Sequence, residues 1–252
     1  MIQLGGKTID SLYLGSKLIK EAYIGSKKVW PDEISIPSAI KDSMVLWYDI
    51  KRQGCTNESM ANNPVLTDLS GNGYDATCYN FAWTTESGIT EDNALVSDGV
   101  DDYVRVSGLP VMTSDSGYTV ISKRQWKDAS IENTKVFITK RLARDTMDGA
   151  FTVEKISSSS GSSQIVSFGS VITISDITEE IETIYQTSVS YNGVTTFTPS
   201  SAEDTDTLGI FNSGYNTTSE FSSVALYSLL LFDRDLTTEE IEWVINNLID
   251  EY

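Results

Sequence analysis

From residue 44 onward, short apolar runs alternate with clusters of Gly, Asn, Asp and Ser. Runs of this kind, rich in Val, Ile, Thr, Tyr and Phe and bounded by turn residues, are β-strands. The pattern predicts strands over 44–50, 94–96, 103–106, 118–123, 135–139, 151–156, 164–168, 171–175, 183–190, 194–198, 208–211 and 222–232. Two dense turn signals lie among them, Asp68-Leu69-Ser70-Gly71-Asn72-Gly73 and Asp98-Gly99-Val100-Asp101-Asp102. In such turns Asx side chains cap backbone groups and glycines take left-handed conformations. Residues 157–163 and 203–207 read as polar loops. About a dozen strands with almost no helix describe an all-β two-sheet sandwich of the jelly-roll kind.

The period changes near the C-terminus. Thr237 followed by Glu240 forms the Thr-x-x-Glu capping box of a helix, and Glu239 and Glu240 suit the positive end of its dipole. Ile241, Val244, Ile245, Leu248, Ile249 and Tyr252 then fall on one face, the stripe expected to bury against the sandwich. Trp243 and Asn247 point the other way, and Trp243 reads either as a ring lying on the domain's own surface or as an interface residue.

The first thirty residues follow a different rhythm. One pattern appears three times at a ten-residue period: Leu4-Gly5-Gly6-Lys7-x-Ile9, Leu14-Gly15-Ser16-Lys17-x-Ile19 and Ile24-Gly25-Ser26-Lys27-x-Val29, with Tyr13 and Tyr23 between copies and Trp30 at the end. Gly5, Gly15 and Gly25 supply the positive φ that a type II′ hairpin turn requires, so the segment reads as four short strands joined by three tight turns. Strands this short cannot bury a core alone. Their apolar positions, Leu4, Ile9, Tyr13, Leu14, Ile19, Tyr23, Ile24, Val29 and Trp30, together with the three glycines, are therefore candidate attachment and oligomerisation residues. Pro31 and Pro37 break the ladder. The expected organisation is a hairpin-repeat module over 1–33, a linker over 34–43 and the sandwich over 44–252.

Charge and composition narrow the chemistry. There are 36 acidic against 18 basic residues, a net charge of −18, which argues against nucleic acid and anionic membrane surfaces as partners. The absence of histidine removes every Ser-His and Cys-His constellation. Cys55 and Cys78 lack CxxC spacing and read either as two free thiols or as a single bridge. No cationic and apolar secretory segment opens the chain, and the longest apolar run, 224–232, is far shorter than the ~20 residues of a membrane-spanning helix. The expected site of synthesis is a cytoplasm.

Four motifs, in order along the chain, carry a family resemblance. Asp68-Leu69-Ser70-Gly71-Asn72-Gly73 resembles the D-x-SGNG turn of the laminin-G-like, concanavalin A-like jelly-roll domains, and Asp98-Gly99-Val100-Asp101-Asp102-Tyr103-Val104 resembles their FDG-x-DDYV segment. Tyr191-Asn192-Gly193-Val194 resembles their vNG hairpin tip, and Asp233-Arg234-Asp235-Leu236-Thr237-Thr238-Glu239-Glu240-Ile241 their closing signature. The resemblance implies a concanavalin A-like jelly roll without fixing an activity. Some relatives are glycoside hydrolases, whose Glu-x-Asp-x-x-Glu strand is missing here; the nearest cluster, Glu179-Glu180-x-Glu182, lacks the Asp, so no catalytic residue is expected. Other relatives bind glycans, often with calcium at the sheet rim. That implies Asp98, Asp101, Asp102 and Asp68, with Asp75, as candidate calcium ligands, although Asp68 and Asp98 also fit simple turn capping. Tyr79, Trp83, Trp126 and Tyr215 are candidate sugar-stacking rings, set against the ordinary core role of a Trp in a sandwich.

The N-terminal repeat resembles leader modules of bacteriophage and prophage virion proteins, through Tyr13-Leu14-Gly15-Ser16-Lys17-Leu18-Ile19 and Tyr23-Ile24-Gly25-Ser26-Lys27-Lys28-Val29-Trp30. This implies a non-enzymatic virion structural protein, either a tail or head fibre, an appendage or a capsid decoration. Such a protein docks on other virion proteins and its own copies, with a trimer expected, and displays a lectin-like domain toward host or mucosal glycans. The competing reading is a stand-alone carbohydrate-binding module of a bacterial surface or secreted system.

Overall fold

The computed structural model describes residues 3–4, 7–8, 12–14, 17–19, 22–24, 27–30, 34–112, 117–127, 134–141, 149–155, 163–167, 170–174, 182–187, 205–213 and 220–249. Side chains are described over 34–112, 117–127, 134–140, 151–154, 205–213 and 220–249. The chain divides into two compact units, Met1–Ala39 and Ile40–Tyr252.

In the first unit, three separate two-stranded antiparallel sheets follow one another. They are β1 (Gln3–Leu4) with β2 (Lys7–Thr8), β3 (Leu12–Leu14) with β4 (Lys17–Ile19), and β5 (Ala22–Ile24) with β6 (Lys27–Trp30). The registers close on Leu4↔Lys7, Leu14↔Lys17 and Ile24↔Lys27, leaving two residues per loop as two-residue hairpins require. The three tight turns expected from the sequence fall between these paired strands, and among the described residues six short strand segments stand where four short strands were expected. Gly5, Gly15, Gly25 and Ile9 lie outside the described residues; for Leu4, Tyr13, Leu14, Ile19, Tyr23, Ile24, Val29 and Trp30 the structure gives the strand backbone.

Where a linker was expected, residues 34–37 form no helix or strand, with the Ile36 N–H donating to the Ile34 carbonyl at 3.1 Å, and α1 (Ser38–Lys41) forms a helical turn with Ile40 buried. The elements that follow are β7 (Met44–Asp49), α2 (Asn57–Asn62), β8 (Val65–Leu66), β9 (Ala76–Tyr79), β10 (Gly88–Ile89), β11 (Leu95–Val96) and β12 (Tyr103–Val106). After them come β13 (Thr119–Trp126), β14 (Lys135–Arg141), β15 (Gly149–Lys155), β16 (Ser163–Ser167), β17 (Ser170–Ile174), β18 (Glu182–Thr187), β19 (Leu208–Ile210) and β20 (Val224–Phe232). Last is α3 (Thr238–Val244), continued by a π-helical turn, Ile245–Ile249. The expected strand over 194–198 and the hairpin tip at 191–194 lie outside the described residues.

Two antiparallel sheets result. One has the order β10-β11-β20-β13-β18, with β7 also on β20; the other runs β17-β16-β15-β14-β19-β12-β9-β8. All nine residues of β20 are buried. β13 pairs along its whole length, and β11 and β7 share the opposite edge. Near Lys123 and Arg124 the β13–β20 register shifts past Tyr227, which sets Leu226 and Leu229, three residues apart, on the same core face. That face meets Val104, Val106, Phe137, Ile138, Phe151, Val153, Leu208 and Ile210 of the eight-stranded sheet in one core cluster. Ala225 and Tyr227 instead join Ala94 and Val96 in a second, small cluster.

The C-terminal helix starts as the sequence indicates. Thr237 Oγ1 accepts from the Glu240 N–H (3.3 Å), and Glu240 Oε2 accepts from the Thr237 N–H (2.9 Å). Arg234 adds a bidentate pair to the Glu240 carboxylate at 2.8 and 2.8 Å, holding it below the usual carboxylate range. Ile241, Val244, Leu248 and Ile249 are buried, whereas Ile245 is half-buried. The π-helical turn widens the spacing there, bringing two adjacent residues, Leu248 and Ile249, inward together. Trp243 is half-buried and Tyr252 lies outside the described residues. Among the described residues no helix is long and apolar enough to cross a membrane.

Cys55 and Cys78 are free thiols, Cys78 within the core. Burial pushes the Cys55 thiol up to about 11, and that of Cys78 higher still. Replacement of the cap, Thr237→Ala, is expected to cost about 1 kcal/mol in urea unfolding. An unchanged midpoint would show that the capping box contributes nothing to holding the helix.

Candidate functional site

The site grows from one cross-strand pair. In the β9–β12 ladder Tyr79 lies opposite Tyr103, and their rings stack at 4.6 Å between centroids with planes 10° apart. Alternation on β9 sends Ala76 and Cys78 to the core and leaves Tyr79 outward, 39% exposed. Tyr103 is half-buried beneath it, and the Arg105 guanidinium stands 5.3 Å from the Tyr103 ring centroid. The stack therefore offers an apolar ring surface flanked by a cationic group.

The next residue joins this ladder to the acidic turn. Asn80 sits at φ 68°, a left-handed conformation that Asn tolerates, and its Nδ2 donates to the Asp101 carbonyl at 2.9 Å. The turn itself is a corner between sheets, because β11 belongs to the six-stranded sheet and β12 to the eight-stranded one. Its base is fastened to the start of β20. The Ser97 N–H donates to the Val224 carbonyl (3.1 Å), Ser97 Oγ to the Ser222 carbonyl (2.7 Å), and Ser223 Oγ to the Ser97 carbonyl (3.0 Å). Within the turn, Asp98 Oδ1 accepts from the N–H groups of Val100 (2.8 Å) and Asp101 (3.3 Å). Val100, at the tip, is 70% exposed.

Asp98 and Asp101 are exposed, whereas Asp102 is fully buried. Asp102 Oδ2 accepts from the Asp98 N–H at 2.9 Å, and Oδ1 is buried with no partner among the described residues. Burial pushes the Asp102 carboxyl up to about 6; the Asp98 N–H and the Ser87 hydroxyl pull it back, and the charges of Asp98 and Asp101 raise it further. One oxygen from each of Asp98, Asp101 and Asp102 lies within 4.8 Å of the others.

Other residues singled out in the sequence land elsewhere. Trp126 is 1% exposed, edge-on to Phe137 at 6.4 Å in the core, and offers no ring face to a sugar. The alternation of β13 through Arg124 and Trp126 shows why: both fall on the buried side, while Lys123 and Gln125 are half-buried. Trp83 is half-buried, stacked on Phe81 at 5.2 Å and packed against the core. Tyr215 lies outside the described residues, as do Glu179 and Glu180. Asp68 is no open metal ligand. Its Oδ1 accepts from the N–H groups of Trp47 (3.0 Å) and Ser70 (2.9 Å), and its Oδ2 from Ser70 Oγ (2.7 Å) and the Tyr74 N–H (3.1 Å). Asp75 accepts from the Asp68 N–H at 2.8 Å, and Asn72 Nδ2 donates to the Met44 and Val45 carbonyls. The D-x-SGNG turn is thus a fastening of the chain onto β7. A cleft of about 430 Å³ beside it is lined by Lys41, Asp42, Ser70, Asn72, Tyr74 and Asp233, with the Asn72 amide already committed to the backbone.

Tyr103, Arg105 and Asn80 were not singled out from the sequence. Tyr103 lay inside an expected strand, but its partner strand β9 was not expected, so the stack with Tyr79 had no sequence signal.

No protein-family model and no curated protein matches the chain. Solved structures do share the fold. A Trypanosoma rangeli sialidase in complex with sialic acid superposes with a TM-score of 0.56 at 12% identity, over 93% of this chain and 37% of that one. The binding domain of botulinum neurotoxin serotype D/C gives 0.50 at 14% identity, over 84% and 53%. A botulinum neurotoxin type C structure, whose cell entry is described as dependent upon interaction with two ganglioside molecules, gives 0.51 at 13% identity, over 84% and 52%. The chain spans between about a third and a half of the length of these structures. At such identity the likeness establishes a β-sandwich fold alone, and the leader's resemblance to bacteriophage modules has no support from a family model.

Gly99 sits at φ +77° with Ser223 Cβ and N only 3.2 Å from where a Cβ would stand. Gly99→Ala is expected to cost roughly 1–2 kcal/mol through the left-handed backbone alone, read as a lowered urea midpoint. No loss would show that the corner relaxes freely.

Proposed function

We propose that this protein is a non-enzymatic glycan-binding display protein, in which the sandwich holds a saccharide against Tyr79 beside the 98–102 corner. The observation that carries the reading is an exposed tyrosine, pre-stacked on Tyr103 and flanked by Arg105, Asn80 and carboxylates. Sugars are held by apolar ring faces with a few fixed polar groups at the edge, and this cluster has that composition. Support also comes from fold neighbours that carry sialic acid or engage gangliosides. The pre-formed stack lowers the ordering cost of binding, because the Tyr79 ring is already held by its neighbour.

The hairpin leader supports the second half of the reading, a structural protein of a bacteriophage particle. Each of its sheets has two strands and two or three paired positions, too few for independent stability. Docking on other virion proteins or on sister chains, with three chains as the expected number, satisfies the open edges. In this role the protein works in the virion, with the sandwich displayed outward.

On a glycan array of sialylated and neutral oligosaccharides, the wild-type chain is expected to bind a defined subset. Tyr79→Ala is expected to lower affinity about tenfold, the value of one stacking contact, while thermal stability changes little. Binding unaffected by the substitution would remove Tyr79 from the site. Deletion of residues 1–33 is expected to leave a soluble, glycan-competent sandwich that no longer enters particles or oligomers. Normal incorporation of the truncated chain contradicts the docking role and favours a stand-alone carbohydrate-binding module.

A further inference from the structure

We propose that the leader docks on a second copy of this chain, on the outer face of its C-terminal helix, through lysines set against carboxylates. This rests on the docking reading of the leader and names the surface that receives it. Three observations support it. The first is a segregation of charge along the sequence. Residues 1–30 hold Lys7, Lys17, Lys20, Lys27 and Lys28 against Asp10 and Glu21 alone, in a chain whose net charge is −18. After Lys155 the one cationic residue is Arg234.

The second is a repeated register. Lys7, Lys17 and Lys27 each close a hairpin, opposite Leu4, Leu14 and Ile24. Residues directly opposed in an antiparallel ladder share a face. In the second hairpin, alternation adds Leu12 and Ile19 to that face. A lysine that only blunts a sheet edge has no reason to keep one position. These recur at the same position in every copy, each beside an apolar residue. The surface that fits them carries carboxylates around an apolar centre.

The third is such a surface on the sandwich. Ile241, Val244 and Leu248 form the buried side of α3 and its π-helical turn. On the other side Glu239, Glu242 and Asn246 are exposed and Trp243 is half-buried, at i, i+3, i+7 and i+4. Exposed Asp233 and Asp235 lie just before the helix. Arg234 is committed to Glu240, and among the described residues neither Glu239 nor Glu242 has an ion-pair partner. Trp243 supplies the apolar centre beside them. Leader and helix are different surfaces, so the contact runs head to tail, and a rotation of one third of a turn closes it into a ring of three chains.

Salt tests this contact with a sign. Chains of net charge −18 repel one another, so added salt strengthens an apolar association. It weakens a lysine–carboxylate contact, as the screening length falls from about 10 Å at 0.1 M to about 3 Å at 1 M. Sedimentation velocity of the full chain is expected to show an oligomer at about 0.1 M NaCl and at least tenfold weaker association at about 1 M. The full chain carrying Lys7→Glu, Lys17→Glu and Lys27→Glu is expected to be monomeric, and so is the chain carrying Glu239→Lys and Glu242→Lys. Mixed in equal amounts, the two variants offer each other matched charges, and association is expected to return. The unfolding midpoint of the sandwich checks that both are folded. A wild-type chain that stays monomeric at about 0.1 M overturns the proposal. So does association that salt or either set of substitutions leaves unchanged, or a mixture of the folded variants that fails to associate. The docking reading itself falls on a different result, normal particle entry by the chain lacking residues 1–33.

Discussion

The sandwich depends on β20 more than on any other element. A strand buried along all nine residues and paired on both edges has no freedom of register. A one-residue slip would carry Val224, Leu226, Leu229 and Leu231 away from the facing sheet. Because β13, β7 and β11 all take their register from it, the chain's corners are placed by the same strand. Ser97 fastens one corner to the start of β20, and Asp68 fastens another to β7, which lies along the far end. The exposed tyrosine stack and the acidic corner are positioned by rigid backbone rather than by a free loop.

The two Asx-capped turns share a chemistry but differ in outcome. Around Asp68 the backbone and Ser70 supply every donor that a buried carboxylate requires, and the result is a closed structural clip. Around Asp102 the chain supplies two, the Asp98 N–H and the Ser87 hydroxyl, one carboxylate oxygen has no partner among the described residues, and two exposed aspartates lie beside it. Sequence alone treats these turns alike, since Asp, Ser, Gly and Asn appear in both roles. Burial and donor count separate them.

Legibility in the sequence follows pattern length. The long apolar run of β20, the capping box at Thr237 and Glu240, and the alternation that marks β12 to β16 were readable because several residues vote together. β8, β9 and β10 are two to four residues long and carry no such consensus. α2 escaped because its capping box, Thr56 with Ser59, uses a serine where Glu or Gln is the familiar signal. Missing β9 also hid the site: Tyr79 was identified as a ring near a turn, but its stack with Tyr103 depends on a pairing between strands far apart in sequence. Trp126 failed as a surface candidate because the expected strand stopped at Lys123, three residues before the alternation ends. That the strands on either side of Asp98–Asp102 belong to different sheets is a property of topology, and no local pattern encodes it.

The central claim is that a saccharide rests on the Tyr79 ring at this corner. Ring-selective NMR of the tyrosines, with 3′-sialyllactose and lactose titrated separately into the full chain, reads it most directly. Saturable shifts at Tyr79 and Tyr103, with those of buried Tyr48 and Tyr118 unmoved, are the result this account requires. Saturable shifts confined to other tyrosines, or none with either sugar, would contradict it.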